Sequence, residues 1–209
     1  MKTKTKMNLP NKLTVMRMCM VPIFVVVMMI SDALWANATG LALFILASLT
    51  DMWDGQLARK HNLITDFGKF MDPLADKFMV IGALMVILFK TMNNSYNAIF
   101  TSLFFWAVLL VIFRELAITS IRLVVSGSSG IVVAANMLGK VKTCMQIACV
   151  IACIAEPVIY RLLPWDIFQV TLLSYLPLSF LSTGLMLIFT IWSGINYIVA
   201  YWKYLDPEK

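Results

Sequence analysis

The chain is poor in charge and nearly free of histidine. Only 13% of its 209 residues are Asp, Glu, Lys or Arg, and His61 is the single histidine. Hydrophobic residues make up 61%, well above the roughly 45–50% of ordinary soluble domains. This shortage of charge excludes a water-soluble domain as the main architecture and predicts an integral membrane protein.

The sequence has few cysteines, and their spacing shows no paired metal-binding pattern. The four lie inside apolar stretches, at Cys19, Cys144, Cys149 and Cys153, and predict small packing residues rather than a disulfide framework or a metal site. The net charge of +6 does not indicate nucleic acid, because basic residues in a membrane chain mark the cytoplasmic face and anionic lipids. We therefore expect membrane lipids as partners and no nucleic acid.

Apolar stretches alternate with polar breaks along the whole sequence. The stretches cover residues 18–30, 33–50, 73–89, 98–121, 136–159 and 170–200. The breaks lie at residues 31–32, 51–69, 91–94, 126–130 and 157–166. Because a spanning helix needs about 20 mostly apolar residues, the pattern predicts an all-α integral membrane protein with six transmembrane helices, in one domain over residues 1–209.

The basic residues are distributed unevenly between the two predicted sides. Fifteen of the 17 Lys and Arg residues fall on the side of the termini, and only Lys90 and Arg161 fall on the other. The positive-inside tendency then predicts that both termini and the segment 51–69 are cytoplasmic. Residues 1–17 mix basic with apolar side chains and predict an amphipathic interfacial segment; a disordered tail is the alternative for the first six.

Four carboxylates come in two helical pairs at predicted cytoplasmic helix ends. Asp51 and Asp54 are three residues apart, and Asp72 and Asp76 are four apart, so each pair shares a helix face. Ionised carboxylates near hydrocarbon are costly unless they are paired, hydrated or bound to metal. Oxygen ligands suit hard cations, so we expect two divalent ions, Mg²⁺ or Mn²⁺. Plain ion pairs with nearby Arg and Lys residues are the alternative.

Small residues accompany the carboxylates. Gly55 and Ala58 follow Asp54, and Gly68 precedes Asp72. They provide a groove where a flat base or a pyrophosphate can approach the backbone, although small residues also serve simple helix packing. The small residues therefore indicate a binding groove only in combination with the carboxylates.

The segment Asp51-x2-Asp54-Gly55-x2-Ala58-Arg59-x8-Gly68-x3-Asp72-x3-Asp76 resembles the complete signature of the CDP-alcohol phosphatidyltransferases. Eight fixed residues over 26 positions match. The resemblance implies the six-helix fold of that family. It also implies transfer of a substituted phosphoryl group from a CDP-linked donor to an alcohol with release of CMP, commonly by a homodimer.

The resemblance also implies roles for single residues. Asp51, Asp54 and Asp72 would bind metal, with Asp72 bridging the two ions, and Asp76 would be a metal ligand and the catalytic base. The positions that match the CDP-donor site are Gly55, Ala58, Arg59, Thr65 and Gly68. Arg59 suits pyrophosphate oxygens well, because a guanidinium binds them in a bidentate manner.

A second basic group lies outside the signature. Arg114, Arg122, Lys140 and Lys142 stand at the cytoplasmic ends of the fourth and fifth predicted spans. Each alone could set topology or contact lipid headgroups. Together they favour an anion pocket, which suits an acceptor that carries its own phosphate.

Three further segments, residues 8–17, 114–116 and 139–146, resemble the bacterial phosphatidylglycerophosphate synthases within this family. The similarity implies CDP-diacylglycerol as donor and sn-glycerol 3-phosphate as acceptor, giving phosphatidylglycerophosphate and CMP. Candidate contacts to donor or acceptor phosphates are then Thr14, Arg17, Arg114, Arg122, Lys140 and Lys142.

Other functions fit parts of the pattern. A cardiolipin synthase of the CDP-alcohol type, or a phosphatidylinositol-phosphate synthase, would share the signature and differ in acceptor. An ion transporter would also contain intramembrane carboxylates, but near the bilayer midplane and with inverted repeats. A noncatalytic scaffold would keep the fold without an intact signature.

Overall fold

A computed structural model describes residues 8–60, 66–93, 97–129, 137–162 and 176–202. Side chains at 10, 53–60, 66, 69 and 126–129 are outside this description. The described chain forms six helices: α1 Leu9–Ile30, α2 Leu34–Lys60, α3 Asp66–Asn93, α4 Ala98–Ser129, α5 Met137–Leu162 and α6 Pro177–Tyr201. The predicted all-α fold is confirmed.

Successive helices run in alternating directions through the bundle. At one end, the start of α1 contacts the end of α2 and the start of α3, through Arg17, Asp51 and Asp76. At the other end, Lys90 near the end of α3 contacts Asp32 between α1 and α2. We call these the signature end and the far end. Tyr197, near the end of α6, contacts Arg122 of α4.

Four of the helices are long and apolar enough to cross a membrane. They are the stretches Asn11–Ile30, Leu34–Met52, Met137–Leu162 and Pro177–Tyr201. The remaining helices, α3 and α4, have 28 and 32 residues, more than the about 20 that a span requires. They also carry charged residues within their length.

One face of α1 is buried along its whole length. Buried side chains recur every three or four residues, at Asn11, Thr14, Arg17, Val21, Phe24 and Met28, as expected for one side of a helix. The first three are polar and lie toward the signature end, whereas the last three are apolar and join the core. Residues 9–17 of the predicted interfacial segment are therefore continuous with α1, and residues 1–7 are outside the described part.

Several helices extend beyond the predicted breaks. The predicted turn at 126–130 is wrong for residues 126–129, which continue α4. Residues 91–93 continue α3, and α5 passes through Pro157 to Leu162. Pro73 likewise lies inside α3. Prolines are tolerated in membrane helices because neighbouring groups compensate for the lost hydrogen bond.

The core lies between the two ends of the bundle. Its largest fully buried apolar side chains include Phe44, Phe100, Phe104, Leu84 and Met186. Phe100 lies beside Phe104 with the two rings tilted by 30°, and it meets Phe180 edge to face, which ties α4 to α6. Gly40 permits α2 to approach α1 closely, because a Cβ there would overlap the Met28 thioether.

The far end is closed by a small ionic cluster. The Lys90 ammonium donates to Asn37 Oδ1 at 2.6 Å and pairs with Asp32 Oδ1 at 3.0 Å. Arg161, from the end of α5, donates to the Asp32 backbone carbonyl. The only two basic residues predicted for this side thus converge on one connection.

Glu156 of α5 stabilises the start of α6. Its carboxylate accepts hydrogen bonds from the Leu178 N–H at 2.9 Å and the Ser179 N–H at 2.7 Å, and from the Tyr160 hydroxyl at 3.0 Å. The first N–H groups of a helix have no partner within the helix, and a negative charge there is favourable. This capping of α6 explains why the acidic residue Glu156 is buried within a membrane helix.

We expect Glu156→Ala to lower the free energy of unfolding by about 3 kcal/mol, because it leaves buried N–H groups without an acceptor. Glu156→Gln keeps an acceptor oxygen and should lose only about 1 kcal/mol. Thermal unfolding in detergent micelles measures both. Equal stability of the Ala variant and the parent would contradict the capping role.

Candidate active site

Three signature carboxylates converge around the polar face of α1. The Thr14 hydroxyl donates to Asp72 Oδ1 at 2.8 Å. Arg17 Nη1 donates to Asp76 Oδ1 at 2.5 Å and also pairs with Asp51. Asp51 comes from the end of α2, and Asp72 and Asp76 come from the start of α3. The predicted meeting of the two carboxylate pairs is thus present for the three described members.

Arg17 supports these carboxylates from the protein side. Its side chain is 0% exposed, whereas those of Asp51 and Asp76 are 37% and 46% exposed. Each carboxylate therefore has one oxygen on the buried guanidinium and an open face toward solvent. Burying an arginine is costly unless it is paired, so Arg17 and the two aspartates need one another.

The donor set fits hard divalent cations. The described candidate ligands are carboxylate oxygens, which Mg²⁺ and Mn²⁺ prefer, and the side chains of Asp51 and Asp76 are partly exposed to solvent. Although Asp51, Asp72 and Asp76 approach the same face of α1, no three His, Cys, Asp or Glu side chains among the described ones form a group that could hold a metal ion. The side chain of the fourth predicted ligand, Asp54, is outside that description.

The predicted donor site lies mostly outside the described side chains. Gly55, Ala58 and Arg59 follow Asp54 in the last two turns of α2, where only the backbone is described. Thr65 lies outside the described residues altogether. Gly68 is buried in the first turn of α3. The backbone thus places these residues beside Asp51 and Asp72 along the chain, and their contacts stay predictions.

A second charged cluster joins α4, α5 and α6. Glu115 Oε1 accepts from Arg114 Nη1 at 3.0 Å and also pairs with Lys142, which is buried. Arg114 Nη2 donates to Ser193 Oγ at 2.6 Å. Two of the four predicted acceptor cations are therefore held by one buried carboxylate.

The other two predicted acceptor cations are exposed. Arg122 donates to the Tyr197 hydroxyl at 2.7 Å, and its guanidinium carbon lies 5.2 Å from the centroid of the tyrosine ring. This is the geometry of a cation–π contact. Lys140 is exposed at the start of α5. The four cations thus form a buried pair and an exposed pair rather than one uniform pocket.

Lys77 links the two clusters. It follows Asp76 in α3, and its ammonium donates to the Thr119 hydroxyl of α4. Thr119 donates in turn to the Glu115 backbone carbonyl at 2.6 Å. The signature carboxylates and the basic cluster are therefore neighbours at the signature end, connected through α3 and α4.

The sequence prediction left out four residues of this region as site residues: Lys77, Glu115, Ser193 and Tyr197. A signal existed for Glu115, because a lone acidic residue follows Arg114 inside an apolar stretch and must find a cation there. Ser193 and Tyr197 lie four residues apart on the buried face of α6, a spacing that packing alone explains equally well.

A separate cavity lies at the far end, away from the carboxylates. It has a volume of about 410 Å³, including space open to solvent, and its walls are mainly apolar, with Met28, Ile87, Phe100 and Ile154 among them. Its lysine, Lys90, already pairs with Asp32. None of the signature carboxylates is among the residues that line this cavity.

Comparison with known proteins agrees with the geometry. The sequence profile of the CDP-alcohol phosphatidyltransferase family matches residues 7–199. The chain is 38% identical to the CDP-diacylglycerol–glycerol-3-phosphate 3-phosphatidyltransferase of Bacillus subtilis, over 97% of this chain and 99% of that protein. The match therefore includes both the signature and the basic cluster.

Two further relatives bear the same enzyme name. The protein of Rickettsia felis is 37% identical over 66% of this chain and 70% of its own length. The second enzyme of that name from Arabidopsis thaliana is 33% identical over 95% of this chain and 81% of its own length. The similarity thus extends from bacteria to a plant.

Proposed function

Since this chain belongs to the CDP-alcohol phosphatidyltransferase family, we propose that it transfers the phosphatidyl group of CDP-diacylglycerol to sn-glycerol 3-phosphate. The products are phosphatidylglycerophosphate and CMP. The observation that carries the proposal is the arrangement at the signature end, where carboxylates of α2 and α3 adjoin a cluster of cations on α4 and α5. Relatives with this activity in their names match nearly the whole chain.

In this proposal the carboxylates of α2 and α3 surround the reacting atoms, and the cations of α4 and α5 bind the acceptor. The primary hydroxyl oxygen of glycerol 3-phosphate attacks the phosphorus that carries the diacylglycerol. A new P–O bond forms there, and the bond from that phosphorus to the CMP oxygen breaks. Asp76 accepts the hydroxyl proton, which its position on the open face of the site permits. A carboxylate is a weak base at neutral pH, so it supplies only part of the rate enhancement.

Members of this family generally depend on divalent metal. We propose that Asp51, Asp54, Asp72 and Asp76 hold two Mg²⁺ or Mn²⁺ ions. Ions held there would supply positive charge to stabilise the attacking and leaving oxygens. Thr14 and Arg17 orient the carboxylates from the buried side, through the contacts with Asp72 and Asp76.

The substrates occupy opposite sides of the carboxylates in this proposal. The CDP group lies along Gly55, Ala58, Arg59, Thr65 and Gly68, with Arg59 on the pyrophosphate. The phosphate of the acceptor lies toward the cations of α4 and α5. Lys140 and Arg122 are exposed and approach it from the water, whereas Arg114 and Lys142 contribute from their buried pair with Glu115.

The protein is a membrane protein, and its orientation is part of the proposal. We place the signature end and both termini at the cytoplasm, where the water-soluble acceptor is found. The strong bias of basic residues toward this end supports that orientation. The acyl chains of the donor then stay in the bilayer while its headgroup enters from the cytoplasmic edge. We further propose a homodimer, as the family resemblance implies.

The decisive experiment measures CMP release by the purified protein in mixed micelles with CDP-diacylglycerol and Mg²⁺ or Mn²⁺. Glycerol 3-phosphate, inositol phosphate, phosphatidylglycerol and serine are offered separately. We expect release with glycerol 3-phosphate only, and none after metal chelation. Release with another acceptor would overturn the assigned substrate but keep the chemistry, and no release with any acceptor would overturn the enzymatic function.

A further inference from the structure

Lys77 is placed between the two halves of the proposed active site. Adjacent residues on a helix point in directions about 100° apart. Asp76 therefore faces Arg17 of α1, while Lys77 extends toward Thr119 of α4. One turn of α3 thus presents a carboxylate to the proposed reaction centre and an ammonium to the basic cluster.

Lys77 differs from the neighbouring cations because it has no carboxylate partner among the described side chains. Arg17 pairs with Asp51 and Asp76, Arg114 and Lys142 share Glu115, and Lys90 pairs with Asp32. Among the side chains that the structure describes, no carboxylate oxygen lies within 4.0 Å of the Lys77 ammonium. A half-buried ammonium without an anion is unfavourable, which indicates an anionic ligand.

The ammonium has donors left for that ligand. A lysine ammonium carries three N–H donors, and in Lys77 one of them goes to the Thr119 hydroxyl. Thr119 is itself fixed by its bond to the Glu115 carbonyl at 2.6 Å. The side chain is therefore held in one direction, which lowers the entropy lost on binding, while two N–H donors stay available.

We propose that Lys77 binds the phosphate of the acceptor and thereby makes the enzyme select a phosphorylated alcohol over a neutral one. This inference rests on the proposed function. In a three-carbon acceptor the phosphate stays close to the reacting hydroxyl. A hydroxyl next to Asp76 therefore leaves the phosphate close to this turn of α3, from which Lys77 extends toward α4. The buried pair of Arg114 and Lys142 with Glu115 adds a net positive charge behind it.

Lys77→Met tests the inference by steady-state kinetics in mixed micelles at saturating CDP-diacylglycerol. We expect KM for glycerol 3-phosphate to rise about 10- to 100-fold, as for loss of a charge-assisted hydrogen bond, with kcat within about threefold of the parent. KM for CDP-diacylglycerol should not change. Competitive inhibition by inorganic phosphate should weaken by a similar factor. Lys77→Arg should recover most of the affinity, because it keeps the charge.

Two further variants separate this contact from general effects. Lys12→Met removes the same charge from an exposed position of α1 and should leave both KM values unchanged. Thr119→Val removes the hydroxyl that orients the ammonium, so we expect a smaller rise in KM, about 3- to 10-fold.

The preference for glycerol 3-phosphate over glycerol is the most direct readout, since a purely structural role would not alter it. We expect this ratio of kcat/KM values to fall in Lys77→Met. An unchanged KM and an unchanged ratio would overturn the inference, as would a loss confined to kcat and thermal stability. If instead the parent protein itself does not respond to glycerol 3-phosphate, the proposed function fails.

Discussion

Replacing Asp76 with asparagine is expected to lower kcat about 1,000-fold. The amide preserves the size of the side chain and can still accept from Arg17 Nη1, which now donates to Asp76 Oδ1. It cannot accept a proton, and it is a poor ligand for a divalent cation. General-base catalysis alone contributes about 10²- to 10⁴-fold, and loss of the ligand adds to it. CMP release at saturating donor and acceptor measures the effect.

Two further variants, Asp32→Asn and Asp72→Asn, serve as controls for the effect of Asp76→Asn. Asp32→Asn changes a carboxylate at the far end that also pairs with a basic residue, Lys90, so it should reduce stability without reducing kcat more than about twofold. Asp72→Asn should be inactive, because Asp72 is one of the proposed metal ligands. If Asp76→Asn turns over almost normally while Asp72→Asn is inactive, Asp76 is not the proton acceptor.

The number and order of the helices could be predicted from the sequence because they follow from length and apolarity alone. A stretch of about 20 apolar residues has few alternatives to a membrane helix. The break at residues 31–32 is present between α1 and α2, where Ser31 and Asp32 interrupt two apolar stretches. The convergence of Asp51, Asp72 and Asp76 was predictable for a similar reason, since carboxylates at a membrane edge must share cations.

Helix ends were less predictable because their residues have weak preferences. The serines and glycine at 126–129 favour a turn in isolation, yet α4 continues through them. Pro157 similarly lies within α5. In both places the helix continues against the local preference of its residues. No periodicity in the sequence reveals that outcome.

The partners of the basic residues could not be predicted either. Lys142 and Glu115 are 27 residues apart in sequence, and their pairing depends on how α4 and α5 pack. Arg17 belongs to a segment whose basic composition predicted a membrane surface location. Its burial follows from the spacing of Thr14, Arg17 and Val21 on one face of α1. This buried face can be recognised in the sequence only if its polar residues are counted together with its apolar ones.

Arg17→Met is the substitution for which we expect the largest combined effect on stability and activity. It removes the buried cation beneath Asp51 and Asp76 and leaves their carboxylates close together without it. Removing one partner of a buried pair typically costs about 3–5 kcal/mol. We expect a loss near the lower limit, because both carboxylates are partly exposed to water. Thermal unfolding in micelles, in the presence of a chelator, measures it.

The same variant separates support of the carboxylates from a simple packing role. If Arg17 balances their charge, added Mg²⁺ should restore more stability to Arg17→Met than it adds to the parent, because the ion then neutralises otherwise uncompensated charge. Arg17→Lys keeps the charge but lacks the planar fork, so it should unfold between the two. Activity should fall about 100-fold in Arg17→Met, as expected when catalytic groups are displaced. Equal responses of variant and parent to Mg²⁺ would show that Arg17 only fills space at the base of the site.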